Sequence, residues 1–316
     1  STSLYRPLGD RVRCEEALDI VDDPVALSDF DVFHMHWPEW LAGTDPHRSR
    51  QIIGNLRAAG VPILWTQHNR MPHARPDARD VYGIWAAEAD GVIHHSEYGR
   101  RVMEAEYRYG DHTRHLVAPH GHWGDRYRAH RPEEGRDEAA ELLGLPPAGL
   151  RLGVVGAPRP AKDVQLAIDA VHRCTRDDVQ LCVWSLRDEQ VPDDPRIIAE
   201  PYDMAPVEVY ARRLYALDAL VMPFGDGMLT TGTMADAIAV GLPTLVSPWG
   251  YLTEALGESA IPYGETAADL AACIDDLDGE RLAAAAAAAV ALRRPTSWGA
   301  IAEATLAFID DLVAAH

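Results

Sequence analysis

Leu150-Arg-Leu-Gly-Val-Val155, followed by Gly156-Ala-Pro-Arg-Pro-Ala-Lys162-Asp163, is the stretch on which the reading of this chain turns. A short apolar run of this kind suits a buried strand, and the residues after it (Val164, Leu166, Ala167, Ile168, Ala170, Val171) recur at helical spacing. Lys162 is the only lysine among 29 Lys and Arg residues. A strand, a Gly-containing loop, a helix N-terminus and one compact cation together make an anion site, with phosphate as the expected anion. The bland alternative is a lysine retained by chance at the surface.

Outward from this stretch, short apolar runs alternate with helical patterns. The first half is expected to hold strands at 31–36, 61–66, 91–95 and 115–118, and the second half at 152–155, 179–184, 219–222 and 244–247. Helices are expected between them, among others at 49–59, 207–217 and 233–240. Repeated strand–helix units imply parallel sheets covered by helices on both faces. Residues 126–148 are rich in charge, Pro and Gly, with one short helix at 138–143, and the domain boundary is placed there.

The formal charge of −20 is spread over both halves, which argues against a nucleic-acid groove. A phosphorylated ligand must then be held by local donors against an unfavourable overall field. Cys14, Cys174, Cys182 and Cys273 show no paired spacing and read as reduced thiols. No apolar run reaches membrane-spanning length and no signal peptide is visible, so a cytoplasmic chain is expected, with peripheral membrane contact left open.

In such folds ligands lie beyond the carboxyl ends of the strands. Those ends read His34-Met-His36-Trp37-Pro-Glu39, Thr66-Gln-His68-Asn69-Arg70, His94-His95-Ser96-Glu97 and Pro119-His120-Gly121-His122. Histidines gathered at successive strand ends mark a site. His34 and His36 share a strand face and have the spacing of a metal pair, but no spacing supplies a third ligand. Neutral imidazoles offer one donor and one acceptor each, which suits sugar hydroxyls, and no metal is expected.

Downstream, Met222-Pro-Phe-Gly-Asp226-Gly-Met-Leu-Thr230-Thr231-Gly232-Thr233 leads from a strand through a Gly-rich loop into a helix that stops at Gly241. Hydroxyls and free amides there form a second anion site, and Asp236, one turn inside, is placed to accept bonds from ribose hydroxyls.

In these motifs the chain resembles the GT-B glycosyltransferases, in particular the retaining glycosyltransferase family 4. Gly156 and Lys162 match that family's diphosphate loop, and Asp236-Ala-Ile-Ala-Val-Gly241-Leu-Pro243 matches its nucleotide helix. Thr66-Gln-His68, Ala89-Asp-Gly-Val-Ile-His-His-Ser96, Pro119-His-Gly121 and Ser297-Trp298 match further family motifs in order, over roughly residues 30 to 312. Three departures stand out. Ala157 replaces the family's Arg after the loop Gly, with Arg159 nearby, and Met228 stands where the first Glu of its Glu-x7-Glu pair would fall. The family's first strand has no counterpart before Ser1-Thr-Ser-Leu-Tyr-Arg6, so the chain is expected to start late.

The resemblance implies an α/β fold of the GT-B type: two Rossmann-like domains facing across a cleft. The acceptor domain would span 1–130, a linker 131–149 and the nucleotide-sugar domain 150–295, with helix 296–316 returning to the first domain. It implies a metal-independent, retaining transfer from a UDP- or GDP-sugar to a hydroxyl of a glycan, glycolipid or natural-product acceptor, with the nucleotide-sugar as co-substrate and no further cofactor. Gly156, Arg159, Lys162, Thr230, Thr231, Gly232 and Thr233 would hold the diphosphate, Asp236 the ribose, and His68 would be the catalytic residue. His34, His36, Trp37, Glu39, Asn69, Arg70, His95, His120 and Asp226 would contact the acceptor or the donor sugar. The alternatives are a nucleotide-sugar epimerase on the same fold and a non-catalytic sugar-nucleotide-binding protein.

Overall fold

A computed structural model describes the chain except residues 1, 17, 19 and 73–78 and the side chains of Thr2 and Asp125. It divides into two units. The first comprises residues 1–121, 227–230 and 296–316, and the second comprises 122–226 and 231–295. The division thus falls after Gly121 rather than within 131–149. Helix Arg136–Leu142 in that stretch is part of the second unit, where Ala139 and Ala140 cluster with Ala216.

The first unit carries a four-stranded sheet of β1 (Phe33–Met35), β2 (Ile63–Gln67), β3 (Gly91–His94) and β4 (Arg114–Val117), paired in that order and all parallel. β2 and β3 are buried throughout, as parallel strands covered on both faces must be. Helix Pro46–Ala59 lies against one face, presenting Ile52, Ile53 and Leu56 to a core with Trp65 and Trp85. Its start is set by Asp45, which accepts from the His47 amide at 2.8 Å, with Pro46 at the first helical position. On the other face, helix Trp298–Val313 packs Ile309 and Leu312 over Leu64 and Ile93. Gly91 permits this, because a Cβ there would stand 2.4 Å from Leu312 Cδ1.

The second unit carries six parallel strands: β5 (Leu150–Val154), β6 (Val179–Leu186), β7 (Ile197–Pro201), β8 (Ala219–Met222), β9 (Thr244–Val246) and β10 (Ala260–Pro262). Their spatial order is β10-β9-β8-β5-β6-β7. β5 lies at the centre, so the loop that follows it, Val155 to Asp163, opens at the middle of the sheet's carboxyl edge. Helix Val164–Arg173 buries Val164, Ala167, Ile168 and Val171 against β5 and β6, the stripe read from the sequence. β7 and β10 are the two outer strands and were not foreseen.

Candidate functional site

In the second unit the loop after β5 turns at Gly156, whose φ of +84° is one that L side chains rarely adopt. A Cβ on Gly156 would also lie 3.0 Å from Thr233 Oγ1 and 3.6 Å from Lys162 Nζ. Gly156, Lys162 and Thr233 are therefore brought together around a turn that carries no side chain. The loop is braced against the next one by backbone bonds, from the Asp163 amide to the Pro223 carbonyl and from the Gly225 amide to the Ala161 carbonyl.

Lys162 is buried. Its ammonium donates to the carbonyls of Val155 (2.8 Å), Gly156 (3.0 Å) and Ala157 (3.0 Å) and lies 3.3 Å from Ser185 Oγ. Burial lowers its pKa to about 8, Arg159 adds to that, and Asp236 and Glu189 oppose it. Through these bonds the lysine holds the strand end together. Arg159 is exposed on the same loop.

Helix Gly232–Val240 begins at Thr231, whose hydroxyl accepts from the Thr233 amide at 3.4 Å. Thr230, by contrast, is grouped with the first unit, so the expected threonine run is divided between the two. Asp236 is buried on this helix and accepts from the Tyr127 hydroxyl at Oδ1 (2.6 Å) and the Tyr210 hydroxyl at Oδ2 (2.8 Å). Burial raises its pKa to about 6, although both tyrosines, Arg126 and Lys162 pull the other way. Each carboxylate oxygen keeps a lone pair beyond its tyrosine bond, so a ligand hydroxyl can still be accepted. Tyr127, Tyr210 and Ser185 are the participants that sequence reasoning missed. Asp226 ends the second unit's segment before the chain joins the first unit for residues 227–230.

In the first unit the histidines converge. His36 Nδ1 and His68 Nε2 are 2.9 Å apart, His68 Nδ1 and His95 Nε2 are 3.2 Å apart, and His95 Nδ1 donates to the Ala118 carbonyl at 3.1 Å. His120 donates from Nδ1 to the Gly121 carbonyl at 2.9 Å, and its ring lies 5.3 Å from that of His95 and 5.6 Å from the Trp298 ring. His34 bonds to the Tyr5 hydroxyl at Nδ1 and to Thr66 Oγ1 at Nε2 (2.7 Å). Burial holds His34 down at about pKa 3 and His36 and His95 well below the ordinary 6.5, and it also lowers His120.

Trp37 stacks on His68 with ring centroids 4.8 Å apart and on exposed Trp40 at 4.6 Å. Glu39 accepts from the Tyr82 hydroxyl at 3.1 Å, and Asn69 lies beside the same hydroxyl. Arg70 forms an ion pair with Glu106 at 2.7 Å. Among the described residues no group of three His, Cys, Asp or Glu is arranged to hold a metal.

No protein-family model matches the chain. It is 27% identical over 290 residues to a GDP-mannose:glycolipid 4-beta-D-mannosyltransferase of Xanthomonas campestris pv. campestris, covering 83% of this chain and 72% of that one. A second protein of that description and organism is 25% identical over 288 residues, with the same shares covered. Among solved structures, Anabaena HepE in complex with UDP superposes with a TM-score of 0.69 at 15% identity, over 91% of this chain and 80% of that one. The sucrose-phosphate synthase of Thermosynechococcus elongatus gives 0.65 at 18% identity, over 96% and 81%. The fold is GT-B, and the chain is a glycosyltransferase.

Proposed function

We propose that this enzyme transfers a mannosyl group from GDP-mannose to a hydroxyl on the glycan part of a glycolipid. The observation that carries the donor half is the cluster of Gly156, Lys162, Thr233 and Asp236 beyond the central strand of the second unit. A bare backbone turn, a cation, a helix N-terminus and a buried carboxylate are what a nucleoside diphosphate asks of a protein. The names of the two sequence relatives supply the choice of mannose, guanosine and glycolipid.

In this reading the leaving diphosphate is received by the loop 156–162 with Arg159 and by the amides and hydroxyls of Thr231 to Thr233. Lys162 exchanges a carbonyl for a phosphate oxygen, and Asp236 holds the ribose. The first unit takes the acceptor: Trp37 offers its ring to a sugar face, and the imidazoles around His68 offer nitrogens to hydroxyls. Charge on the leaving group is met by fixed cations and amides, so no divalent ion is required. In place of retention we favour inversion, because the relatives' product linkage is written beta and an α-linked mannosyl diphosphate yields it only by attack from the opposite face. Work at a membrane surface on its cytoplasmic side fits such an acceptor; among the described residues no helix is long and apolar enough to cross a membrane.

The test is transfer from GDP-mannose, and from UDP-glucose as control, to a lipid-linked oligosaccharide in the presence of excess chelator. A mannosylated product with a new β-anomeric proton signal is expected. No turnover with GDP-mannose, or turnover only after a divalent ion is restored, would overturn the reading.

A further inference from the structure

Arginines gather at one corner of the second unit. The helix Gly279–Leu292 ends against the Gly241 turn, where a Cβ would stand 2.9 Å from Val290 Cγ2 and 3.0 Å from Arg293 Nη2. Arg293 is half-buried there and donates from Nε to the Ile238 carbonyl at 3.0 Å. His122 accepts from the Gly124 amide at Nδ1 and donates from Nε2 to the Arg293 carbonyl, each across 2.9 Å. That bond ties the helix end to the segment that carries Arg128 and Arg131, both exposed. Half-buried Tyr215 lies within electrostatic reach of all three guanidiniums, and Arg128 and Arg131 also act on Arg293.

Like charges held together repel, and in a chain of net charge −20 a corner built of arginines calls for a reason. Helix ends supply part of one. The helices Gly232–Val240 and Gly279–Leu292 both end here, and their last carbonyls attract cations. That accounts for Arg293, whose Nε is spent on Ile238, and leaves the two exposed arginines to be explained. Val290, three residues before Arg293, adds an apolar side chain that is 48% exposed.

We propose that this corner is the face by which the protein rests on an anionic lipid bilayer, with Arg128 and Arg131 meeting headgroup phosphates beside Val290. Charge complementarity selects the partner. The chain as a whole is acidic and is repelled by such a surface, so it must meet the bilayer with its arginines first. An apolar side chain bordered by guanidiniums is also the composition that suits the headgroup layer. The proposal rests on the glycolipid reading above for its choice of a lipid partner.

The test needs no activity. The full chain is sedimented with vesicles of phosphatidylcholine alone and of phosphatidylcholine with about 30% phosphatidylglycerol. Binding to the anionic vesicles alone is expected at about 50 mM salt, with release at about 300 mM as the charges are screened. Arg128→Gln and Arg131→Gln should each lower the partition coefficient about fivefold, and together about 25-fold, with the parent's melting temperature kept. Arg187→Gln, at an exposed arginine in the loop after β6, should leave partition within about twofold of the parent. Equal binding to neutral vesicles, no binding to anionic ones at low salt, or binding that survives the folded double variant would overturn the proposal. So would a dimer in sedimentation velocity that the double variant loses, because the corner would then face a second copy. No transfer from GDP-mannose, with vesicle binding intact, would overturn the transferase reading and leave the docking face standing.

Discussion

Replacing Asp236 by asparagine should make the protein more stable at neutral pH. The Asp236 carboxyl is buried, and its pKa stands at about 6 in the folded chain against 3.8 for an ordinary aspartate. Below pH 3.8 both folded and unfolded chains carry the proton. Between 3.8 and about 6 the unfolded chain releases it and the folded chain does not, so stability is lost as pH rises through that window and is fully lost above it. A rise of this size is worth about 3 kcal/mol. Asparagine fits the same place: its oxygen can accept from Tyr127, and its amide can donate to the Tyr210 oxygen. The Asp236→Asn protein should therefore gain on the parent by up to about 3 kcal/mol at pH 7.5, with the gap closing toward pH 4.5. Urea unfolding of both proteins across that range measures it. A gap that stays constant or narrows as pH rises would refute the argument, because the tyrosine bonds to the ionised form would then outweigh its desolvation. A charge kept at such a cost is what a ligand-binding carboxylate looks like, and the same variant should bind GDP more weakly despite its greater stability.

Lys162→Met leaves the carbonyls of Val155, Gly156 and Ala157 without their ammonium. It should destabilise the protein by about 1–3 kcal/mol and weaken GDP binding by about 1.5–3 kcal/mol. Calorimetry on both properties decides the matter: a lower Tm with unchanged binding would make the lysine a brace only. The histidines in the first unit set an acid limit. His34 and His94 are held at about pKa 3, and His36, His95, His115 and His120 are also lowered, all chiefly by burial. The unfolded chain takes up protons near 6.5 that the folded one refuses, so stability falls as pH drops below 6.5. Tm measured from pH 7.5 down to 4.5 should decline steadily, and a rise on acidification would contradict the lowering of these histidines by burial.

The central strands were legible because a buried parallel strand must be apolar on both faces, which shows as runs such as Val179 to Trp184. β7 and β10 were not, since an outer strand such as Ala260–Pro262 carries little such signal. Histidines at strand ends told where the first unit's polar cluster would lie. They could not tell which nitrogen meets which, because the Ala118 carbonyl that His95 reaches is a backbone group that every sequence carries alike. The partners of Asp236 were hidden for another reason: Tyr127 and Tyr210 lie 109 and 26 residues away in the chain, and only the folded second unit brings their hydroxyls to one carboxylate. Lys162 stood out by composition, yet nothing in its neighbours announces that its ammonium turns back onto the loop's own carbonyls.

The long helix that lies over Gly91 also has a bearing on how the protein is made. Arg114 donates to the Asp311 carbonyl across 197 residues of chain, and Leu312 closes the face of the sheet beside Leu64 and Ile93. A nascent chain that has emerged only as far as residue 121 therefore has one side of its four-stranded sheet bare. The later unit, whose segments run from 122 to 295, can complete its own core first. The earlier half is completed only when residues 298–313 fold back over Leu64 and Ile93.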